Sequence, residues 1–300
     1  SKPIYGGTSS LFSSFFPDLG ITVVPMTDGM SVDGITSAMN EAARHGQLGM
    51  VLIETPANPT NTLIDISLVG GQCLQHGLRS GHKPLLVVDN TFLGPIYQKP
   101  ILHGADLVVY SVTKYLAGHS DLVAGAVAGR SDLMATVLKL RGRPGTQLEP
   151  HSCWLISRSL ETLSLRMERA NESARIIAEY LRDHPQVEDI NYLGFLKPGS
   201  RRAELFAKQC GSAGSTFAFT IKGGREAAFR FLDRIQIIKL AVSLGGTESL
   251  ICHPASTTHS GIKAEERKAL GITEGTIRIS IGVEDPRDLL ADIEQAMQAA

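Results

Sequence analysis

Short β-branched runs alternate with helical stretches through the first half of the chain, the pattern of a mostly parallel sheet covered by helices. Met50–Glu54 predicts a buried strand ending in a carboxylate, Leu85–Asp89 a second of the same kind, Leu107–Tyr110 a third and Val123–Ala128 a fourth. Between the first two, Leu68–Arg79 predicts a helix closed by Ser80-Gly81. From Ser152, Trp154, Leu155, Leu160, Leu163, Leu165, Met167, Ala170, Ala174, Ile177 and Leu181 recur near helical spacing for about thirty residues. Asp183-His184-Pro185 ends that run, because proline disfavours helix in the residue before it. Further strands are predicted at Val187–Asn191, Thr216–Ile221, Ile237–Val242 and Thr276–Ile281, with helices between them and a last helix from Pro286. The expected architecture is α/β, with a large mostly parallel-sheet domain over residues 1–167 and a smaller C-terminal α+β domain over residues 168–300, hinged on the long helix.

Composition narrows the class. Of 300 residues, 43% are hydrophobic and 20% charged, as in ordinary globular proteins. Lysine plus arginine (29) balances aspartate plus glutamate (30), so no global field invites nucleic acid or an anionic membrane. No apolar run approaches bilayer length. Cys73, Cys153, Cys210 and Cys252 lie far apart without a Cys-x-x-Cys pair, which reads as reduced thiols in a cytoplasmic protein.

Three predicted strands end in polar clusters: Glu54-Thr55-Pro56-Ala57-Asn58-Pro59-Thr60, Asp89-Asn90-Thr91 and Ser111-Val112-Thr113-Lys114. Ligands of open α/β sheets bind beyond the carboxyl ends of the strands. Each cluster alone is ordinary turn chemistry; if the strands are parallel neighbours, a carboxylate, an amide, two hydroxyls and an amine converge on one crevice. The glycine-rich nucleotide loops, His-Glu-x-x-His and Gly-x-Ser-x-Gly are absent, and Cys252, His253 and His259 match no common metal spacing, so no metal is expected.

The clusters belong to a longer ordered set: Tyr5-Gly6-Gly7-Thr8, Glu54 to Pro59, Val88-Asp89-Asn90-Thr91, Ser111 to Tyr115 with Gly118-His119-Ser120-Asp121, Ser243-Leu244-Gly245-Gly246, His253-Pro254-Ala255-Ser256 and Thr276-Ile277-Arg278. Together they resemble the Cys/Met-metabolism family of pyridoxal-phosphate (PLP) enzymes, which includes cystathionine γ-synthase, cystathionine β- and γ-lyases, methionine γ-lyase and homoserine-ester sulfhydrylases. The resemblance runs essentially end to end. It implies the type I, aspartate-aminotransferase-like fold, PLP as cofactor, a small amino-acid substrate and a homotetramer built as a dimer of dimers.

It also implies roles for individual residues. An aldehyde cofactor needs an amine to hold it covalently, and Lys114 occupies that position. The cofactor's ring nitrogen stays protonated only beside a buried carboxylate, which the resemblance makes Asp89. Ser111 and Thr113 share a side if the chain stays extended, and their hydroxyls would meet the cofactor phosphate. Tyr5 matches the tyrosine that stacks on the ring and helps move the proton to the leaving group. Asn58 matches the residue near the phenolic oxygen, with Glu54 supporting its loop. Arg278 alternates with Ile277, Ile279 and Ile281, so it points away from their apolar face. A guanidinium pairs bidentately with carboxylates, and the resemblance makes Arg278 the clamp on the substrate α-carboxylate, assisted by Ser243.

Departures from the family pattern refine the expected reaction. Val242 stands where γ-synthases and cystathionine γ-lyases usually carry glutamate, which weakens a cystathionine substrate and favours a small apolar distal group. Methionine γ-lyases share the valine but carry cysteine at the position of Gly7. Roughly the first hundred family residues, with a phosphate-binding turn and a Tyr-x-Arg arm that reaches the neighbouring subunit's site, have no counterpart, so the chain as written is expected to hold PLP at less than full affinity. The favoured reading is a C–S lyase acting by γ-elimination on methionine or a related thioether amino acid. The alternatives are a γ-replacement synthase, a cystathionine γ-lyase and a non-catalytic truncated homologue.

Overall fold

The computed structural model describes residues 1–299. Helices α1 (Gly6–Ser10) and α2 (Val32–Arg44) precede the first sheet. Strand β1 (Met50–Glu54) crosses over through α3 (Ile66–Ser80) to β2 (Leu85–Asp89), which lies parallel to it with Glu54 level with Asp89. After the short α4 (Gly94–Tyr97), β3 (Leu107–Ser111) joins parallel to β2, and β4 (Gly125–Gly129) closes the sheet antiparallel. Two of the three pairings are therefore parallel, and all three parallel strands end at the same edge.

Helix α3 shows why these elements form where they do. Asp65 accepts a hydrogen bond from Leu68 N at 2.9 Å and caps the first turn, so the helix starts two residues before its predicted boundary. Gly81, at φ 76°, ends it in the left-handed conformation that glycine adopts without strain. Ile66, Val69, Cys73 and His76 recur on one buried face, against Ile53, Leu86 and Val88 of the sheet. Each aliphatic side chain so buried contributes about 1.5–3 kcal/mol.

Helices α5 (Ser131–Gly142), α6 (Pro150–Leu160) and α7 (Leu163–Asp183) follow. The predicted thirty-residue helix is thus two, broken at Glu161-Thr162. Arg166 supplies the reason: it donates to Ser159 O at 2.9 Å and Thr162 Oγ1 at 3.1 Å, tying the junction into a bend. Helix α7 serves both halves of the molecule. Leu163 and Met167 pack with Phe92, Tyr115 and Leu244, while Ala174, Ile177, Ala178 and Leu181 enter the core of the second sheet.

That second sheet contains β5 (Val187–Asn191), then, after α8 (Arg201–Gln209), β6 (Thr216–Ile221), and after α9 (Gly224–Arg234), β7 (Lys239–Leu240) and β8 (Leu250–Cys252). Helix α10 (Ala264–Ala269), β9 (Thr276–Ser280) and α11 (Pro286–Met297) complete the chain. The spatial order is β5-β6-β9-β8-β7, antiparallel except for the β7–β8 pair. The strand predicted over Ile237–Val242 shrinks to two residues, because only Lys239 and Leu240 find partners on the three-residue β8. Strand β8 itself was too short to announce itself by alternation.

Strands β6 and β9 carry the decisive pattern. Phe217, Phe219, Ile221, Ile277, Ile279 and Ile281 face the apolar core, and Thr216, Ala218, Thr220, Thr276, Arg278 and Ser280 face the other way. Arg278 does leave the apolar face as predicted, yet it is only 2% exposed. Its strand is central, and the small Ala218 opposite it in register leaves room for the guanidinium.

Candidate active site

The carboxyl edge of the first sheet meets the polar face of the second, and the predicted residues gather there. Lys114 follows β3 in a turn closed by Lys114 N to Ser111 O at 3.1 Å and Gly118 N to Lys114 O at 2.8 Å. Its Nζ donates to Ser243 Oγ at 2.9 Å. Burial, and then the nearby Arg278 charge, hold the amine below the ordinary lysine value. Arg278 Nη2 donates to the carbonyls of Val242 and Ser243, the latter at 2.8 Å, and Nη1 to Asn58 Oδ1 at 3.2 Å. Arg278 Nε is buried with no partner among the described residues. Segment 242–243 therefore anchors the amine through its hydroxyl and the guanidinium through its carbonyls.

Asp89 ends β2 with Oδ1 accepting from Thr91 N at 3.0 Å and Thr91 Oγ1 at 2.7 Å. The Thr91 hydroxyl accepts in turn from Ser111 N at 3.0 Å, which ties the second cluster to the third. Asp89 Oδ2 accepts no hydrogen bond among the described residues, and no cationic side chain pairs with the carboxylate there. Burial pushes its pKa up, against the pull of the Thr91 hydrogen bonds. Beside it, Glu54 Oε2 accepts from Tyr5 N and Oε1 from Asn58 N, both at 2.7 Å. Burial, followed by the Asp89 charge, raises Glu54 as well.

One family matches residues 1–298 of this chain, described as Cys/Met metabolism PLP-dependent enzyme. The chain belongs to that family. An L-methionine gamma-lyase of Pseudomonas deceptionensis is 42% identical over 302 residues, covering 100% of this chain and 72% of that protein. A cystathionine gamma-lyase of Sus scrofa is 38% identical over 298 residues, covering 99% of this chain and 70% of its own. Among solved structures, cystathionine gamma synthase from Xanthomonas oryzae pv. oryzae in complex with aminoacrylate and cysteine superposes with a TM-score of 0.88 at 36% identity, over 99% of this chain and 73% of that one. The chain accordingly has the type I fold of these PLP enzymes and their cofactor.

The residues at the site fit pyridoxal 5'-phosphate. A partly buried amine with a lowered pKa suits an aldehyde, since only the neutral form attacks. A buried carboxylate that lacks a cation and keeps one oxygen open suits a protonated ring nitrogen. Part of the hydroxyl expectation needs correcting. The chain does not stay extended after Ser111, because β3 ends there and a turn begins. Thr113 Oγ1 donates to Ala124 O at 3.3 Å and accepts from Ala124 N at 3.0 Å, so its only proton is committed within the protein. Ser111 Oγ carries no such commitment among the described residues.

The remaining two predicted residues lie at the rim: Tyr5 is 47% exposed and Val242 54%. Several supports were not legible. Arg166 Nη1 and Nη2 donate to Tyr115 O at 2.8 Å and Leu116 O at 3.3 Å, clamping the turn beyond Lys114. Tyr115 Oη lies 2.8 Å from both Ser215 Oγ and Thr216 Oγ1, joining that turn to the second sheet. Gly245, at φ 74°, backs onto Tyr115 N so closely that a Cβ would stand 2.8 Å from it. The motif Ser243-Leu244-Gly245-Gly246 marked this loop, but no spacing marked Arg166.

Proposed function

We propose that the protein is a PLP-dependent C–S lyase that performs γ-elimination on methionine or a related thioether amino acid. The observation that carries this reading is the shared anchorage of Lys114 and Arg278 on Ser243. An α-amino acid bears its carboxylate and its acidic proton on the same carbon. A clamp for the former must therefore stand beside a base for the latter, and these two side chains do.

In this reading Lys114 holds the cofactor aldehyde, with Asp89 at the ring nitrogen, Asn58 near the phenolic oxygen, and Ser111 and Thr113 toward the phosphate. Thr113 contributes a donor only by releasing Ala124 O. When bound, the cofactor supplies an electron sink for the pair left as the Cα–H bond breaks. Arg278 fixes the α-carboxylate with Ser243 and so orients the Cα–H bond. Displaced from the aldehyde by the substrate amine, Lys114 takes the proton from Cα, releases it and then takes the one from Cβ, and Tyr5, whose ring lies at the rim, gives a proton to the departing sulfur. Val242 lines the side of the distal group. For methionine and water the net products are a thiol, 2-oxobutyrate and ammonia.

We infer further that the boundary between the two domains falls on α7, at residues 167–168, that the working unit is a homotetramer and that it acts in the cytoplasm. Exposed Leu11, Phe15, Leu19, Trp154, Leu160 and Leu165 supply apolar surface for subunit contacts. No helix among the described residues is long and apolar enough to cross a membrane, and all four cysteines are free.

The test is an assay of the full-length protein with PLP against methionine, cystathionine and an O-acylhomoserine plus a thiol. Release of 2-oxobutyrate and thiol from methionine is expected. A new thioether from the ester in the absence of methionine cleavage would establish a γ-replacement synthase instead, and no product from any of them would establish a non-catalytic homologue.

A further inference from the structure

We propose that Glu54 is a positioning residue for substrate recognition, whose carboxylate holds the Asn58 amide that in turn presents Arg278 to the substrate carboxylate. This rests on the assignment of Arg278 as the clamp. Glu54 is 5% exposed and, although the charge of the Ser1 amino group reaches it, makes no direct ion pair among the described residues; its two oxygens take one backbone N–H each, from Tyr5 and from Asn58. A buried carboxylate level with a second one on the neighbouring parallel strand is costly. Ordinary packing gives no reason to accept that cost, since an apolar side chain would fill the same space. What only the carboxylate does is accept from two converging donors at once, joining the loop that begins with Tyr5 to the loop that carries Asn58.

The second loop is held independently at its far end. Asn61 Nδ2 donates to Asn191 O at 2.9 Å and Thr216 O at 3.1 Å, and Ala57 N donates to Thr62 O at 3.0 Å. Its near end is tied through Thr55, whose carbonyl accepts from Gln98 Nε2 at 2.6 Å and whose Oγ1 accepts from Ile64 N at 3.0 Å, but the Asn58 N–H itself is held by Glu54. Asn58 is 2% exposed, with its backbone N–H on Glu54 and its side-chain oxygen on Arg278 Nη1. The order Tyr5–Glu54–Asn58–Arg278 is therefore an unbroken run of hydrogen bonds from the tyrosine to the clamp. Displacing Asn58 frees Nη1, and the guanidinium then turns toward the Val242 and Ser243 carbonyls that hold Nη2. The charge stays in the site while its orientation is lost.

Glu54→Gln separates this role from plain stability. The amide keeps the size but has one acceptor oxygen, so one of the two N–H donors faces an NH₂ group. Leaving one of these buried N–H donors without an acceptor changes an equilibrium by roughly tenfold to a hundredfold. The readout is binding, not turnover: inhibition or spectroscopic titration of the full-length PLP-loaded protein with norleucine, which has the carboxylate but no γ-sulfur, and with pentylamine, which has neither. Glu54→Gln should weaken norleucine by at least roughly tenfold and leave pentylamine within about twofold, with Glu54→Asp between wild type and Glu54→Gln. Equal weakening of both ligands, or of neither, overturns the proposal, the first because it signals general disruption. If wild-type protein itself shows no preference for norleucine over pentylamine, the Arg278 clamp is wrong, and the proposal falls with it; if norleucine is preferred while methionine is not cleaved, only the lyase reading falls.

Discussion

The buried His259 should contribute a loss of stability as the pH falls. The side chain is 1% exposed, Nδ1 lies 2.8 Å from Thr258 Oγ1, and Nε2 has no partner among the described residues. Burial, and then the Arg278 guanidinium, hold its pKa down at about 4, against 6.5 for an ordinary histidine. Between those values the unfolded chain takes up a proton that the folded chain refuses, so stability falls as pH is lowered through the window. At about 1.36 kcal/mol per pH unit, the loss between pH 7 and pH 5 is about 2 kcal/mol. That is a large share of the roughly 5–15 kcal/mol by which domains are stable. The raised carboxyls Glu54 and Asp89 act with the opposite sign, gaining protons in the folded state first, but they are common to wild type and variant. Urea unfolding of full-length wild type and His259→Gln at pH 7 and pH 5 isolates the histidine. The variant is expected to start less stable at pH 7 and to lose about 2 kcal/mol less than wild type on going to pH 5. Equal losses in the two proteins would refute the reasoning, because the imidazole would then titrate alike in both states.

Two further outcomes are expected. Borohydride reduction of the full-length PLP-loaded protein should leave the label on Lys114, and Lys114→Ala should abolish labelling while leaving the urea midpoint near wild type; label on Lys139 or Lys239 would show that the site is misassigned. Asp292→Ala should cost roughly 3–5 kcal/mol, since this buried carboxylate accepts from the backbone N–H groups of Gln236, Ile237 and Ile238 at 2.8, 2.8 and 3.0 Å; a urea-determined loss below about 1 kcal/mol would mean those donors find other partners.

What could be read without the structure was local. Strands at residues 50–54, 85–89 and 107–110 follow from β-branched runs, and the turn clusters at their ends follow from the same short windows. The split of the long helical run did not, since the periodicity continues across Glu161-Thr162 and only the Arg166 side chain reveals why the backbone bends. The premise that set Ser111 and Thr113 on one side failed for a related reason: it assumed an extended chain, and the chain turns after Ser111.

The sequence by itself determined the elements, the ordered motifs that mark the family and the alternation that turns Arg278 away from Ile277 and Ile279, because each depends on neighbours a few residues apart. Tertiary structure decided that Glu54 and Asp89 stand side by side, through the parallel register of β1 and β2. It also decided that the far face of β9 is buried, because the Asn58 loop covers it at Arg278. Both outcomes join residues far apart in the chain. Local pattern specifies which way a side chain points, whereas its charge state and partners depend on whatever the rest of the fold brings to that face.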